Sequence, residues 1–408
     1  MTPVLRGLEY FSSLAPSHIK MGLGRVLTAL ETLGHPERRV KAIHVAGTNG
    51  KGSTCAFLAS CLSRRYRVGL YTSPHLVTPN ERIQIDGVPI DDATFARRID
   101  EVNDRLGPHE LTYFEFGTVV AFWHFAHEAL DVAVIETGLG GRLDATTACV
   151  PLVTCITPID FDHMEYLGHT LEAIGREKAG ILKPDVPAVF SKDSTTAMLQ
   201  PGALEGRDFS IQAQADGSLE WRSARRTLGG LRPGLRGRHQ HQNLALALAC
   251  LDALGPELSL TDDEVRQGVA AARWPGRLEE FPGSPPVVLD GAHNPSGVRV
   301  LLDAFDDVYP GREVHLVFGV FADKDSEPMM RALFPRVAAV HLAPIASPRS
   351  KDPASYEAFA RGLNSAVSRH ASAEAALEAA RASAPPGAIV VVAGSLFLIG
   401  QLRRVLAR

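Results

Sequence analysis

No stretch of this 408-residue chain approaches the roughly 20 consecutive apolar residues needed to cross a bilayer, which excludes a membrane-spanning helix. The N-terminal Met1-Thr-Pro-Val-Leu-Arg-Gly7 lacks a basic region followed by an apolar run, so no secretory signal is expected and a cytoplasmic location follows. Cysteine is sparse. The five cysteines, at 55, 61, 149, 155 and 250, form no C-x-x-C pair and are odd in number, which disfavours a zinc site and a disulfide framework and leaves them as small core residues. An excess of one charge sign is missing as well: 42 Lys and Arg against 46 Asp and Glu give a net charge of −4, no electrostatic footprint for nucleic acid. Internal repeats are absent, and 45% hydrophobic with 22% charged residues is ordinary globular composition. At roughly 100–200 residues per domain, the length predicts two to four units.

Apolar strands alternate with helical periodicity, the pattern of an α/β protein with a mostly parallel sheet. Strands are expected at Ala42–Val45, Val68–Tyr71, Val132–Ile135, Val153–Ile156 and Ala188–Phe190, with function at their carboxyl ends. A hairpin around Gln212–Trp221, turning at Asp216-Gly217, precedes a helix at about 242–254. The Pro- and Gly-rich run Trp274-Pro-Gly-Arg-Leu-Glu-Glu-Phe-Pro-Gly-Ser-Pro-Pro286 then marks a domain boundary. Beyond it, strands at Val287–Leu289, Val314–Phe318, Ala339–Leu342 and Ala388–Val392 predict a second, smaller α/β domain. The expected division is a P-loop ATPase-like domain over 1–282 and a Rossmann-like domain over 283–408, with a small-molecule site in the cleft that two domains leave.

Chemistry concentrates in four segments. Ala42-Ile-His-Val-Ala-Gly-Thr-Asn-Gly-Lys-Gly-Ser-Thr54 is a strand running into a glycine-rich turn and a helix; Gly47, Gly50 and Gly52 let backbone N–H groups of Thr48 and Asn49 and the helix start wrap an anion. Lys51 then reaches the outer phosphates and Ser53 a magnesium ion, although Gly52 between them departs from the strict G-x-x-x-x-G-K-[ST] pattern. Val132-Ala-Val-Ile-Glu-Thr-Gly-Leu-Gly-Gly-Arg-Leu-Asp-Ala-Thr146 delivers Glu136 at a strand end, a carboxylate suited to magnesium, with Asp144 in the turn that follows. Thr157-Pro-Ile-Asp-Phe-Asp-His163 presents Asp162 and His163. The helix after it places Lys178 on the inward stripe with Leu171 and Ile174, where an unpaired ammonium is costly. Asn243 heads an apolar helix and by itself reads as a helix cap, while Arg277 has the planar fork that binds phosphate in a bidentate way.

The form Gly47-Thr-Asn-Gly-Lys-Gly-Ser53 resembles the loop of Mur-type amide ligases, in particular their folate branch, the folylpolyglutamate and dihydrofolate synthases. The likeness runs in the family's order through Glu177-Lys-Ala-Gly-Ile181, Gly237-Arg-His-Gln-His-Gln-Asn243, Leu289-Asp-Gly-Ala-His-Asn-Pro295, Phe318-Gly-Val-Phe-Ala-Asp-Lys-Asp325 and Val392-Ala-Gly-Ser-Leu-Phe397. It implies ATP bound by residues 47–54 including Thr54, with Asn243 near the adenine, Arg277 on the terminal phosphate and Asp290 on the ribose. It implies two magnesium ions, with Ser53 and Glu136 on one, and Glu136, His163 and a carbamylated Lys178 on the other, and K+ as a further ion. Thr72-Ser-Pro-His-Leu-Val-Thr-Pro-Asn-Glu-Arg-Ile83 resembles the loop that closes over pterin, which assigns Ser73, Pro74, His75 and Arg82 to the folate with Phe114, Phe116 and Asp144; Pro79 stands where the family usually has an aromatic. His293 and Ser395 fall to the glutamate side.

The implied reaction is ATP-dependent amide formation. A pterin-linked carboxylate attacks the γ-phosphate, and the amine of L-glutamate displaces phosphate from the acyl phosphate while closure of the two domains excludes water. The implied partners are small molecules, L-glutamate with dihydropteroate or tetrahydrofolate, acting on a monomer. Gly140-Gly-Arg-Leu-Asp-Ala-Thr146 looks like that of bifunctional members, with Thr147 in place of the usual asparagine. Two rivals remain: a cell-wall Mur ligase, for whose UDP-sugar domain the 40 or so residues before the loop leave too little chain, and an ATP-binding module without ligase chemistry.

Overall fold

The computed structural model describes residues 6–14, 20–192 and 201–407. The chain divides into two compact units: Met1–Gly234 with Gln240–Arg273, and Leu235–His239 with Trp274–Arg408. The second unit thus begins earlier than the expected 282/283 boundary. Its first strand explains why: Glu279–Phe281 pairs antiparallel with Val287–Leu289, and this ladder draws the Pro- and Gly-rich run into the second sheet.

In the first unit, β1 (Lys41–Ala46), β2 (Val68–Tyr71), β3 (Ile83–Ile85), β4 (Val88–Pro89), β5 (Val132–Glu136), β6 (Val150–Ile156), β7 (Ala188–Phe190) and β8 (Ala203–Leu204) form one sheet. Its order is β4-β3-β2-β5-β1-β6-β7-β8, parallel except for the β3–β4 ribbon at one edge. Strands covered on both faces read as unbroken apolar runs, and β5 is buried at every position. On one face, Phe95, Ile99, Phe116, Val120 and Phe122 from helices Asp92–Leu106 and Tyr113–Ala126 pack over the sheet; on the other, Ile174 and Ile181 meet Ala46, Ile156 and Phe190. The predicted hairpin is present as β9 (Phe209–Ala213) and β10 (Leu219–Ser223), joined by β11 (Thr227–Leu231) in a separate antiparallel sheet.

The second unit holds β12 (Glu279–Phe281), β13 (Val287–Leu289), β14 (Val314–Phe318), β15 (Ala339–Leu342), β16 (Val367–Arg369) and β17 (Ile389–Ala393), ordered β12-β13-β17-β14-β15-β16 and parallel apart from β12. The last strand in sequence, β17, lies between β13 and β14, so the turns after β13 and β17 are neighbours within this unit. All five cysteines are unpaired and buried, as small core residues should be. Among the described residues, no helix is long and apolar enough to cross a membrane.

Candidate active site

The phosphate-type loop starts where β1 ends and hands over to the helix Lys51–Leu62. Gly47 and Gly50 have φ of 147° and 86°, a region L side chains rarely enter, and a Cβ at either would collide, at Gly47 with Thr157 Oγ1 and at Gly50 with Asn243 Oδ1. The loop is braced from the segment after β6. The N–H groups of Thr48 and Asn49 both donate to Pro158 O (2.9 and 3.3 Å), and Thr48 Oγ1 exchanges two 3.0 Å bonds with Asp160 backbone atoms. This corrects the expectation that Thr48 and Asn49 amides face an anion: they are spent on bracing. The donors left by helix geometry are the first-turn N–H groups of Lys51, Gly52 and Ser53, since Thr54 N–H is already bonded to Gly50 O (2.9 Å).

Two lysines meet at one carbonyl. Lys51 Nζ donates to Gly47 O and Thr48 O, both at 3.1 Å, and Lys178 Nζ donates to the same Gly47 O at 2.7 Å. Lys178 is buried on the inward stripe of the helix Leu171–Ala179, as its spacing predicts. Burial lowers its pKa to about 7, with the like charge of Lys51 adding to the shift and Asp162 and Asp144 opposing it.

Asn243 is no helix cap. It lies inside the helix His239–Ala253, buried, with its amide donating to Gln240 Oε1 (2.9 Å), and it packs on Gly50. Gln240 Nε2 in turn donates to Ser53 Oγ (3.3 Å). Gln240 is a further site residue, and its i, i+3 spacing to Asn243, which puts both on one helix face, is the signal the sequence carries for it.

Glu136 ends β5 abreast of Val45 and is buried, with Oε2 accepting the Ser73 N–H at 3.2 Å. That bond ties the 72–83 segment to the strand end. Within this segment Glu81 accepts the N–H groups of Leu76, Val77 and Thr78, Arg82 Nε donates to His75 Nδ1 (2.9 Å), and the Arg82 guanidinium lies 5.4 Å from the Tyr113 ring centre. Pro79 opens the 3-10 turn Pro79–Arg82, where its missing N–H costs nothing. Ser73 and Pro74 are joined by a cis peptide bond beside this anchor. Phe114 is half-buried with its ring against Gly138, whereas Phe116 is sealed in the core against Tyr10 and Phe11. Phe116 is therefore a packing residue.

Asp144 turns out to be scaffolding. Buried in its own turn, it accepts Gly138 N–H (3.0 Å), Leu139 N–H (2.8 Å), Thr146 N–H (3.0 Å) and the Thr146 hydroxyl (2.5 Å). Burial raises its pKa, and these donors offset part of the rise. His163 stands at the N-cap position of the short helix Met164–Leu167 in a left-handed conformation (φ 48°), exposed, with Asp162 Oδ2 3.8 Å from its Nε2.

In the second unit, Arg277 lies against Gly291, where a Cβ would come within 2.7 Å of its guanidinium, and beside Asp290. Asp290 is buried and pins Leu278 N–H (3.1 Å) and Ala292 N–H (2.9 Å), so like Asp144 it shapes its turn. His293 Nδ1 bonds to Gly291 O (2.7 Å). Asn294 and Ser395 are N-caps of the helices Pro295–Asp307 and Leu396–Leu406.

Among the described residues, no cluster of three or more His, Cys, Asp or Glu side chains can hold a metal unaided. Magnesium does not require one: it takes one or two carboxylates and completes its shell with water and phosphate oxygens. The Glu136 carboxylate and Ser53 hydroxyl are hard oxygen donors of that kind and fit. Lys178 as an amine does not; it would have to become an anion first.

Two family models cover this architecture, the Mur ligase middle domain over residues 45–251 and the Mur ligase glutamate ligase domain over 276–396. The dihydrofolate synthase/folylpolyglutamate synthase of Bacillus subtilis is 35% identical over 95% of both chains. This chain belongs to the Mur ligase family, in its folate branch. Among solved members, Escherichia coli FolC in complex with DHPP and ADP matches with a TM-score of 0.90 at 33% identity, covering 100% of this chain and 98% of that one. The Yersinia pestis bifunctional synthase complexed with AMPPNP and Mn gives 0.88 at 33%, covering 100% and 99%.

Proposed function

We propose that this Mur ligase is an ATP-dependent glutamate ligase of both folate activities, joining L-glutamate to dihydropteroate and extending the glutamate chain of tetrahydrofolate. The observation that carries the reading is the convergence on Gly47 O of two lysines, one at a phosphate-type loop and one buried, beside the first turn of a buried helix. Lys51, with the first-turn amides of its helix, neutralises charge on the transferred phosphoryl group. In the second unit Arg277 offers a planar fork of the kind that binds phosphate. The acceptor carboxylate attacks phosphorus and ADP leaves; the glutamate amine then attacks the acyl carbon, phosphate leaves and the ammonium proton is lost. Ser73, Pro74, His75, Arg82 and Phe114 shape the acceptor's place, and His293 lies on the glutamate side. Ser53 and Glu136 would hold magnesium, which would supply further charge neutralisation to the phosphates, and His163 is assigned to a second ion by the family resemblance.

Lys178 is carbamylated in the active form. A neutral amine is needed to attack CO2, and burial supplies it. The modification also turns the like-charge Lys51–Lys178 pair into an opposite-charge one and supplies the anion that a second metal requires.

Phosphate release from ATP with L-glutamate, with dihydropteroate, tetrahydrofolate or neither as acceptor and product mass read alongside, tests the reading. One-glutamate mass gains on both acceptors are expected. A gain on tetrahydrofolate alone restricts the protein to chain extension, and no acceptor-dependent gain overturns the assignment.

Gly50→Ala sharpens the nucleotide assignment. It introduces a left-handed alanine, costing about 1–2 kcal/mol, and drives a methyl into Asn243. The KM for ATP should rise by about tenfold or more, and adding Asn243→Ala should recover only the steric part. An unchanged ATP KM would remove the loop from the site.

A further inference from the structure

His44 sits in the middle of β1, three residues before Gly47, between Ile135 of β5 and Thr154 of β6, and is wholly buried. An apolar side chain would be the cheaper filler at the centre of a parallel sheet. The imidazole instead makes one hydrogen bond, Nε2 to Thr146 Oγ1 at 2.9 Å, and its Nδ1 is buried without a hydrogen-bond partner. Proton inventory fixes the direction. The Asp144 carboxylate can only accept, so the Thr146 hydroxyl proton points to Asp144 Oδ1 at 2.5 Å, and Thr146 Oγ1 must accept from His44 Nε2–H. The unpartnered Nδ1 is then a lone pair, not a stranded donor. Burial, with the Lys183 charge assisting, keeps the ring neutral down to a pKa of about 3, so this arrangement persists at any working pH. The far Asp144 oxygen, Oδ2, holds the N–H groups of Gly138 and Leu139, and Gly138 is the backbone against which the Phe114 ring packs.

We infer that His44 is a positioning residue: through Thr146 and Asp144 it fixes the 137–144 turn in the shape that receives the folate acceptor, and it ties that turn to the strand carrying the phosphate loop. The role of the turn as part of the acceptor site rests on the function proposed above; the mechanical link does not.

Two readouts separate these. Amide exchange of the 136–144 peptide in His44→Leu and Thr146→Val should be about tenfold faster than in the parent, with the peptides of β1 and β6 unchanged. In the same variants the acceptor KM should rise about fivefold or more with the ATP KM within about twofold. His44→Gln, whose Nε2 can donate from the same position, should restore both, and the double variant His44→Leu/Thr146→Val should be no worse than either single one. Unchanged exchange in the turn alongside a lower melting temperature would make His44 a core residue only, and so would equal rises in the two KM values. A parent protein that ligates no glutamate sinks the functional reading, and the exchange result by itself then upholds or overturns the link.

Discussion

Lys178→Ala is expected to lose activity by about 10²–10³-fold or more while remaining folded, the loss typical of removing one preorganised charge from a transition state. The discriminating variant is Lys178→Arg. It keeps a cation and a donor for Gly47 O, yet a guanidinium forms no carbamate, so it should be as inactive as the alanine variant. With an ordinary pKa of 10.5, the amine at neutral pH would be uncharged in roughly one molecule in several thousand; at about 7, it is neutral in about half. Stripping CO2 should therefore inactivate the parent and bicarbonate restore it, with the mass of one CO2 appearing on the peptide that holds residue 178. An active Lys178→Arg, or indifference to CO2, would dispose of the carbamate.

The same amine predicts a stability slope. Its folded pKa is depressed below the unfolded value of 10.5, so between about 7 and 10.5 the unfolded chain binds more protons and stability rises with pH. Below about pH 7 both states are protonated and the burial penalty is fully present. Urea denaturation in CO2-free buffer should show this rise in the parent and lose it in Lys178→Met.

Lys51→Met is the second large effect. Methionine keeps the apolar stem and removes the ammonium, so kcat should fall about 10²–10³-fold with the acceptor KM nearly unchanged. Folding should survive, because the two bonds to Gly47 O and Thr48 O contribute only about 1 kcal/mol each. Lys51 is also one of the causes that lower the Lys178 pKa. Removing it should move Lys178 upward, so the residual activity should require higher pH than the parent. A residual profile with an unshifted acid limb would contradict the coupling of the two amines through Gly47.

The glycine loop, the strand-end Glu136 and the inward face of Lys178 were legible because each is a local matter: turn residues, a continuous apolar strand and a 3.6-residue helix period fix them over a dozen residues. The central strands of both sheets followed from the same patterns, while their lateral order and the edge strands β3, β4, β8, β12 and β16 did not. What stayed hidden was the destination of hydrogen bonds. Thr48 and Asn49 look like anion donors until Pro158, more than a hundred residues away, takes their N–H groups. Asp144, Asp290 and Ser395 carry the residue types of ligand contacts, and only the fold shows that each also holds its own turn or caps its own helix. Asn243 reads as a cap because its helix is expected to start at about 242; the helix starts at His239 instead, which leaves Asn243 inside it and against Gly50.

By itself the sequence determined an α/β chain of two units, a phosphate-type loop with its lysine, and the family, since periodicity and motif spacing are written along the chain. Only the tertiary structure decided which donors face outward, that two lysines share Gly47 O, and that His44 reaches Asp144 through Thr146. Those depend on strands and helices far apart in sequence meeting at the end of one sheet, where burial and the satisfaction of every polar group choose among side chains the sequence leaves equivalent.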